Sequence, residues 1–227
     1  QGVSSAASDV YKRQVSLILE QMNIEITLPD KSVRTYEKAI TGEEVAFDIG
    51  PKLGKDAVAI EINRELYDTS YVIKENASIK ILTKKDIQSL SILRHSSAHL
   101  LAQAVLNLYP GTLYGVGPDI EDGFYYDFLF KENISDADLP KIEKEMLKLS
   151  KANQQFTKST QTKSNAMELF KNQQFKMELI DSADETEGVE DSKVSLYSNN
   201  EFIDLCKGPH VPNTGFIKHF KPVSYTH

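Results

Sequence analysis

From Met22 onward the apolar positions fall into a regular pattern. Met22, Ile24, Ile26 and Leu28 alternate with Asn23, Glu25 and Thr27, the period of a half-buried strand. Pro29-Asp30-Lys31-Ser32 supplies turn chemistry, and residues 33–36 return as the second arm of a hairpin. Thr41-Gly42-Glu43-Glu44 reads as a capping box, in which Thr41 accepts from the backbone at Glu44 and the Glu44 carboxylate reaches back. A helix is expected from there to about Leu53-Gly54, bent or broken at Gly50-Pro51. Residues 57–62 alternate again, Asn63-Arg64 turns, and 78–82 closes as a strand. This order predicts a small α+β unit of the ubiquitin-like β-grasp kind over about 22–84.

After a hinge at Lys84-Lys85-Asp86 the period changes. Residues 91–109 form a predicted helix stopped by Pro110-Gly111, with Ala98, Leu101, Ala102, Val105 and Tyr109 on one side. The stretch 115–127 is glycine-rich and aromatic, a loop entering a strand, and its spacing is not that of a P-loop. A second long helix is expected over 135–153, with Ile142, Met146 and Leu149 as its apolar stripe. Lys141, Lys144, Lys148 and Lys151 form a stripe of their own, either a solvated face or an RNA contact, interrupted by Glu143 and Glu145. A third helix over 164–172 precedes a strand at 175–180. The run 181–192, with six acids and no base, reads as a surface loop or insert that would repel a phosphate backbone. Strands at 194–197 and 202–205 follow. The pattern predicts an α+β domain over about 87–221, with a central antiparallel sheet and long helices.

Composition adds limits. With 227 residues, 40% hydrophobic and 26% charged, the chain can bury two cores and is not a disordered polyanion. No apolar stretch approaches the ~20 residues of a membrane helix, so a soluble protein is expected. Cys206 is the single cysteine, which excludes an internal disulfide and fits a reducing cytosol. The net charge of −7 means that any contact with RNA must come from local basic patches or from partner domains. Residues 1–14 resemble translated adapter sequence, as does the closing run from Val223. A non-native leader over 1–21, a native start at Met22 and a non-native tail over 222–227 are therefore expected.

The chemistry concentrates in histidines and the cysteine. His95 and His99 lie in His-Ser-Ser-Ala-His, and Cys206 and His210 in Cys-Lys-Gly-Pro-His. In a helix, residues i and i+4 share a face with Cβ atoms about 6 Å apart, so His95 and His99 point the same way. Gly208-Pro209 forces a tight turn that brings Cys206 and His210 to one end of a strand. Three readings stay open on these residues: histidines that merely satisfy hydrogen bonds, a zinc site made by His95, His99, Cys206 and His210, or polar walls of a pocket that holds a water for ester hydrolysis. The HxxxH lacks the glutamate after its first histidine that serves as general base in zinc peptidases.

Arg94-His95-Ser96-Ser97-Ala98-His99-Leu100-Leu101, Gly123-Phe124-Tyr125-Tyr126-Asp127 and Asp204-Leu205-Cys206-Lys207-Gly208-Pro209-His210-Val211-Pro212 occur in this order and at similar separations in bacterial threonyl-tRNA synthetases. The unit before them, with Ile26-Thr27-Leu28-Pro29-Asp30, resembles the TGS domain that opens those enzymes. Alanyl-tRNA synthetases share the HxxxH and CxxxH pair, but the TGS-like unit and the GFYYD element favour the threonyl family. The resemblance covers residues 22–221.

It implies an N-terminal portion of a threonine-tRNA ligase that proofreads, hydrolysing the ester of mischarged seryl-tRNA(Thr). His95, Lys176 and His210 would be catalytic, Lys176 and His95 by placing water and handling its proton. His99, Tyr126, Asp204 and Cys206 would bind substrate, with Asp204 on the serine ammonium and Tyr126 on the terminal adenosine. Editing would need no metal. ATP, Mg and Zn would belong to an aminoacylation core that the chain lacks. Expected partners are the 3′ end of tRNA(Thr), the remaining domains of the parent enzyme and, through the parent's core, a second copy. A cytoplasmic location and no membrane partner are also expected. The acidic run lengthens the interval between Lys176 and Cys206 relative to the family's pattern. Both His95 and Lys176 fall at the edges of predicted elements, so their loss is expected to slow hydrolysis without touching the fold. The rival readings are a free-standing aminoacyl-tRNA editing hydrolase and a non-catalytic, TGS-containing RNA-binding module.

Overall fold

A computed structural model describes residues 23–182 and 193–224. The expected leader, the acidic run beyond Ser182 and the last three residues lie outside the described residues. The chain divides into two units between Thr83 and Lys84. No helix among the described residues is long and apolar enough to cross a membrane.

The first unit is a β-grasp. Strands β1 (Ile24–Thr27) and β2 (Val33–Tyr36) form the hairpin, with Ile24 facing Tyr36 and Ile26 facing Arg34. The short strand β3 (Ile40–Thr41) leads into helix α1 (Gly42–Ile49). Thr41 Oγ1 accepts from the Glu44 amide at 3.2 Å, while the Glu44 carboxylate accepts from the Thr41 amide at 2.8 Å. A cap of this kind contributes about 1 kcal/mol. Pro51 has no N–H to continue α1, so a separate helix α2 (Pro51–Asp56) starts there.

Strands β4 (Ala57–Ile62) and β5 (Glu65–Tyr67) join at Asn63 and Arg64, both with positive φ (52° and 73°), the two-residue turn whose twist suits a hairpin. β6 (Val72–Ile73) pairs with β3, and β7 (Ala77–Thr83) enters the sheet between β1 and β4. The order is β2-β1-β7-β4-β5, with β1 and β7 parallel. Ile26, Val45 and Ile60 are fully buried at its centre.

The second unit is built on helix α3 (Gln88–Leu108). The single apolar side expected for it is corrected. Ser96, Ala98, Leu100, Gln103 and Ala104 are all buried, so the middle of the helix is enclosed on every side. Its small residues allow that close approach, and they are what hides the stripe from a hydrophobicity count. The glycine-rich stretch that follows folds as two tiny antiparallel pairs: β9 (Asp119–Ile120) with β10 (Gly123–Phe124), and β8 (Leu113–Tyr114) with β11 (Phe128–Leu129).

The second long helix begins later than expected. One 3-10 turn (Asp136–Asp138) precedes α4 (Leu139–Lys151) because Pro140 sits in the first helical turn. Ile142, Met146 and Leu149 are buried as read. On the lysine stripe, Lys141 and Lys148 pair with Asp138 and Glu145 at 2.7 and 3.1 Å.

Two readings of the sequence are overturned. Residues 157–162, which carried no prediction, form strand β12 (Thr157–Thr162), paired with β13 (Lys193–Asn199), itself paired with β14 (Phe202–Leu205) in an antiparallel sheet. After helix α5 (Lys163–Leu169), the strand expected at 175–180 is instead helix α6 (Gln174–Ser182). Its inward positions are Lys176 and Ile180, four apart and both buried. A lysine occupies the place where a hydrophobic residue would have revealed the helical period.

Candidate functional site

Helix α3 carries His95, Ser96 and His99 toward the far end of β14, where the chain turns through Cys206-Lys207-Gly208-Pro209-His210. Gly208 has φ +74° and a cis bond to Pro209. A Cβ there would lie 2.1 Å from the Tyr197 hydroxyl, so only glycine fits. The turn folds His210 back between aromatic faces: its ring stacks on Phe156 at 4.7 Å and on His95 at 4.5 Å, with Tyr197 edge-on at 4.5 Å. His99 meets His210 at 4.2 Å and His95 at 5.0 Å.

Cys206 Sγ lies 3.0 Å from His95 Nε2 and 3.4 Å from His210 Nε2, and it accepts from the Gly208 amide at 3.2 Å. One ligand atom each from His95, His99, Cys206 and His210 all fall within 4.8 Å of one another. The two motifs, 111 residues apart between His95 and Cys206, therefore meet in one cluster. His99 and His210 are buried, whereas His95 and Cys206 keep some surface.

Beneath the histidines lies a second, wholly buried layer. Tyr126 donates to Asp204 Oδ2 at 2.5 Å, and His99 Nε2 is 3.4 Å from the same oxygen. Lys176 donates to the Gly115 carbonyl at 2.5 Å and to the Tyr126 hydroxyl at 3.2 Å, and it forms an ion pair with Asp204. An ammonium has three hydrogens, and these three partners use them. Lys176 is 1% exposed and Asp204 2%. The expectation that Lys176, at the edge of an element, is free of packing is thus corrected: it stands in the first turn of α6 but faces inward and encloses a buried carboxylate. Asp204 and Tyr126, expected to bind substrate, spend their polar atoms on each other and on Lys176. All seven expected residues are brought together, as a histidine and cysteine layer over an Asp204, Tyr126 and Lys176 floor.

Sequence reasoning missed several contributors. Phe156 and Tyr197 wall His210. The Gly117 carbonyl meets His95 Nδ1 at 3.2 Å, and Ser96 Oγ meets His210 Nδ1 at 3.0 Å. Gly117 was visible only as one glycine among several in the 115–127 loop, and Ser96 only as a spacer inside HxxxH. A cavity of about 610 Å³ lined by Gln103, Asn107, Lys148, Gln173 and Glu201 also exists in this unit, but it contains no member of the cluster.

Burial holds His99 and His210 well below the ordinary imidazole value, and the neighbouring histidines push the same way. Burial lowers His95 too, opposed by the Gly117 carbonyl. Burial raises Asp204, with Lys176 opposing. The histidine shifts have a consequence for stability. Below about pH 6.5, the unperturbed value, the unfolded chain binds protons that the folded cluster refuses. The stability is therefore complete above that pH and is lost as the pH falls below it, at up to about 1.4 kcal/mol per pH unit for each histidine. Thermal melting of chelator-treated protein is expected to drop clearly between pH 7.5 and 5.5. A melting temperature unchanged over that range would mean that the folded histidines take up protons just as the unfolded ones do.

The cluster also fits a metal. Two to three imidazoles with a thiolate suit tetrahedral zinc, the spread of ligand atoms is compact, and His99 Nδ1 is buried without a hydrogen-bond partner.

Comparison with known proteins places both units. The TGS domain family matches residues 24–83, and the family described as the threonyl and alanyl tRNA synthetase second additional domain matches residues 194–226. A threonine-tRNA ligase of Hahella chejuensis is 47% identical over 86% of this chain, and those of Acholeplasma laidlawii and Desulforapulum autotrophicum are 44% and 43% identical over 88% and 87%. The chain spans about 30% of the length of each of these relatives. With a TGS domain followed by a second additional domain, the chain belongs with the N-terminal part of the threonyl-tRNA synthetases.

Proposed function

We propose that the chain hydrolyses the ester joining serine to the 3′ end of tRNA(Thr), the proofreading step of a threonine-tRNA ligase. The observation that carries this reading is the convergence of His95, His99, Cys206 and His210 within 4.8 Å, at a place where His95 and Cys206 are reachable from solvent. Serine lacks one methyl of threonine, and a pocket gains only about 1–3 kcal/mol from one methyl. A ligase therefore needs a second site that removes serine after it has been attached. In this reading the ligase activity, with its ATP, Mg and Zn and its homodimer contact, belongs to the parent's remaining domains, and the enzyme works in the cytoplasm.

Attack of water on the ester carbonyl requires a base for the water's proton. His95 is the open one of the three histidines, and its Nε2 is the atom we assign. Burial keeps it neutral near pH 7, so that it can accept. His210 backs His95 by stacking and holds Cys206 in place. We keep the serine ammonium on the Asp204 oxygen that faces His99, a charge-assisted contact, and the terminal adenosine on Tyr126; both contacts would replace the Tyr126–Asp204 hydrogen bond. Lys176 acts through Asp204, by keeping that carboxylate ionised and fixed.

We assign this hydrolysis no metal, because the helix supplies no general-base glutamate beside its histidines. The fit of the four ligands to zinc favours a second reading, in which the ion would supply an activated water. Deacylation of seryl-tRNA(Thr) by the purified chain, with and without chelator, separates the two. Equal rates are expected. A large loss restored by zinc would replace the first reading by the second, and tight tRNA binding with no deacylation in either condition would favour an RNA-binding module.

A further inference from the structure

We propose that Ser96 is a positioning residue that fixes which nitrogen of His210 carries the proton, and through it the direction of every hydrogen bond in the histidine and cysteine cluster. A serine inside a helix commonly turns its hydroxyl back to the carbonyl four residues earlier, as the neighbouring Ser97 does to Leu93 at 2.7 Å. Ser96 does otherwise. It is fully buried, and its oxygen reaches out of α3 to two partners on the other motif: His210 Nδ1 at 3.0 Å and the Val211 amide at 3.1 Å.

The directions follow by elimination. The Val211 amide can only donate, so Ser96 Oγ accepts from it. The hydroxyl has one hydrogen of its own. Were His210 Nδ1 to donate as well, that hydrogen would be left in a fully buried place with neither of its two partners able to take it, at the cost of an unmade bond. Ser96 therefore donates to His210 Nδ1. A buried, neutral His210 then carries its proton on Nε2, which faces Cys206 Sγ at 3.4 Å.

The other end is fixed independently. The Gly117 carbonyl can only accept, so His95 Nδ1 carries the proton across their 3.2 Å contact. His95 Nε2 is then a lone pair, 3.0 Å from Cys206 Sγ, and the thiol hydrogen points at it. The chain runs in one direction: Ser96 to His210, His210 to Cys206, Cys206 to His95, His95 to the Gly117 carbonyl. It leaves His95 Nε2 as the acceptor of the cluster, holding the thiol hydrogen until a water takes the thiol's place. Removing the Ser96 hydroxyl frees His210 to move its proton to Nδ1. Its Nε2 lone pair then competes with His95 for the thiol hydrogen.

This inference rests on the proposed hydrolysis only for its consequence in rate, and the test keeps the two apart. The full chain, labelled with ¹⁵N in its histidine side chains and treated with chelator, is examined by NMR at pH 7.5 as wild type, Ser96→Ala and Ser96→Thr. The long-range nitrogen couplings assign the tautomer of each ring. In wild type, His210 is expected as the Nε2–H tautomer and His95 as the Nδ1–H tautomer. In Ser96→Ala, His210 is expected to become a mixture, and Ser96→Thr, which keeps the hydroxyl, to restore the single form. Seryl-tRNA(Thr) deacylation is expected to differ about tenfold between wild type and the alanine variant and to return to the wild-type rate in the threonine variant. An Nδ1–H His210 in wild type overturns the proposal even if the variants do not fold, and so does an unchanged tautomer in a folded Ser96→Ala. If the tautomers follow Ser96 but no form of the chain deacylates the tRNA, the positioning role stands and the proposed function falls.

Discussion

Replacing Lys176 by alanine is expected to cost about 3–5 kcal/mol of stability in the second unit, the typical result of removing one partner of a buried ion pair. The magnitude follows from what is left behind. Asp204 is 2% exposed, and besides Lys176 its carboxylate has the Tyr126 hydroxyl, the Leu205 amide and the edge of His99 beside it, none of them a full positive charge. Without the ammonium it must either ionise uncompensated in a low dielectric or take up a proton. The Gly115 carbonyl and the Tyr126 hydroxyl lose their donor as well. For a unit of this size the melting temperature is expected to fall by roughly 10–20 °C. The double replacement Lys176→Met with Asp204→Asn should recover much of that loss, since a buried pair exchanged for well-packed neutral groups is often near neutral. Melting of the alanine variant within about 1 °C of wild type would mean that Lys176 and Asp204 do not depend on each other. Lost deacylation in Lys176→Ala is therefore no evidence of a role in the chemistry unless the double variant is measured beside it.

His95→Ala is expected to do the reverse, slowing deacylation of seryl-tRNA(Thr) by about 10²–10⁴-fold, the usual cost of removing a positioned acid–base group, with little change in melting. The water's proton then has no neutral, solvent-reachable imidazole to go to, because His99 and His210 are enclosed. The structural loss is small by comparison. His95 makes one bond to a backbone carbonyl and one to a thiol, neutral contacts worth about 1 kcal/mol each. Single-turnover deacylation and thermal melting of the same preparation decide it. A rate near wild type removes His95 from the mechanism, and a melting temperature that falls in step with the rate makes its role one of packing.

What the sequence revealed depended on whether a residue's job matched its hydrophobicity. The first unit was legible almost throughout. Its strands alternate, and Thr41 and Glu44 announce a helix start by chemistry that needs no tertiary context. In the second unit, β12 escaped notice because Thr157–Thr162 is a polar strand with most of its side chains exposed, held by its ladder to β13 rather than by an apolar face. Helix α6 was misread because Phe175, Met177 and Leu179 alternate with polar residues while the true inward position belongs to Lys176. For the site, the helical spacing of His95 and His99 and the turn at Gly208-Pro209 were visible. What local pattern could not supply was depth. Nothing near Lys176 or Asp204 in sequence says that they are buried against each other, and nothing around Ser96 says that its hydroxyl leaves its own helix.

The site is also spread along the chain. His95 and Cys206 are 111 residues apart, and Ser96 and His210 114. Synthesis proceeds at about 5–20 residues per second. A ribosome that has released α3 must therefore translate for about another 5–20 s before the second motif exists at all. During that interval the histidines of α3 have neither thiol nor partner imidazole, and the helix has no sheet to enclose its small-residue faces. No nascent chain short of His210 can carry the cluster, so the proposed deacylating activity, measured on stalled chains of increasing length, would act as a late clock for the folding of the whole second unit.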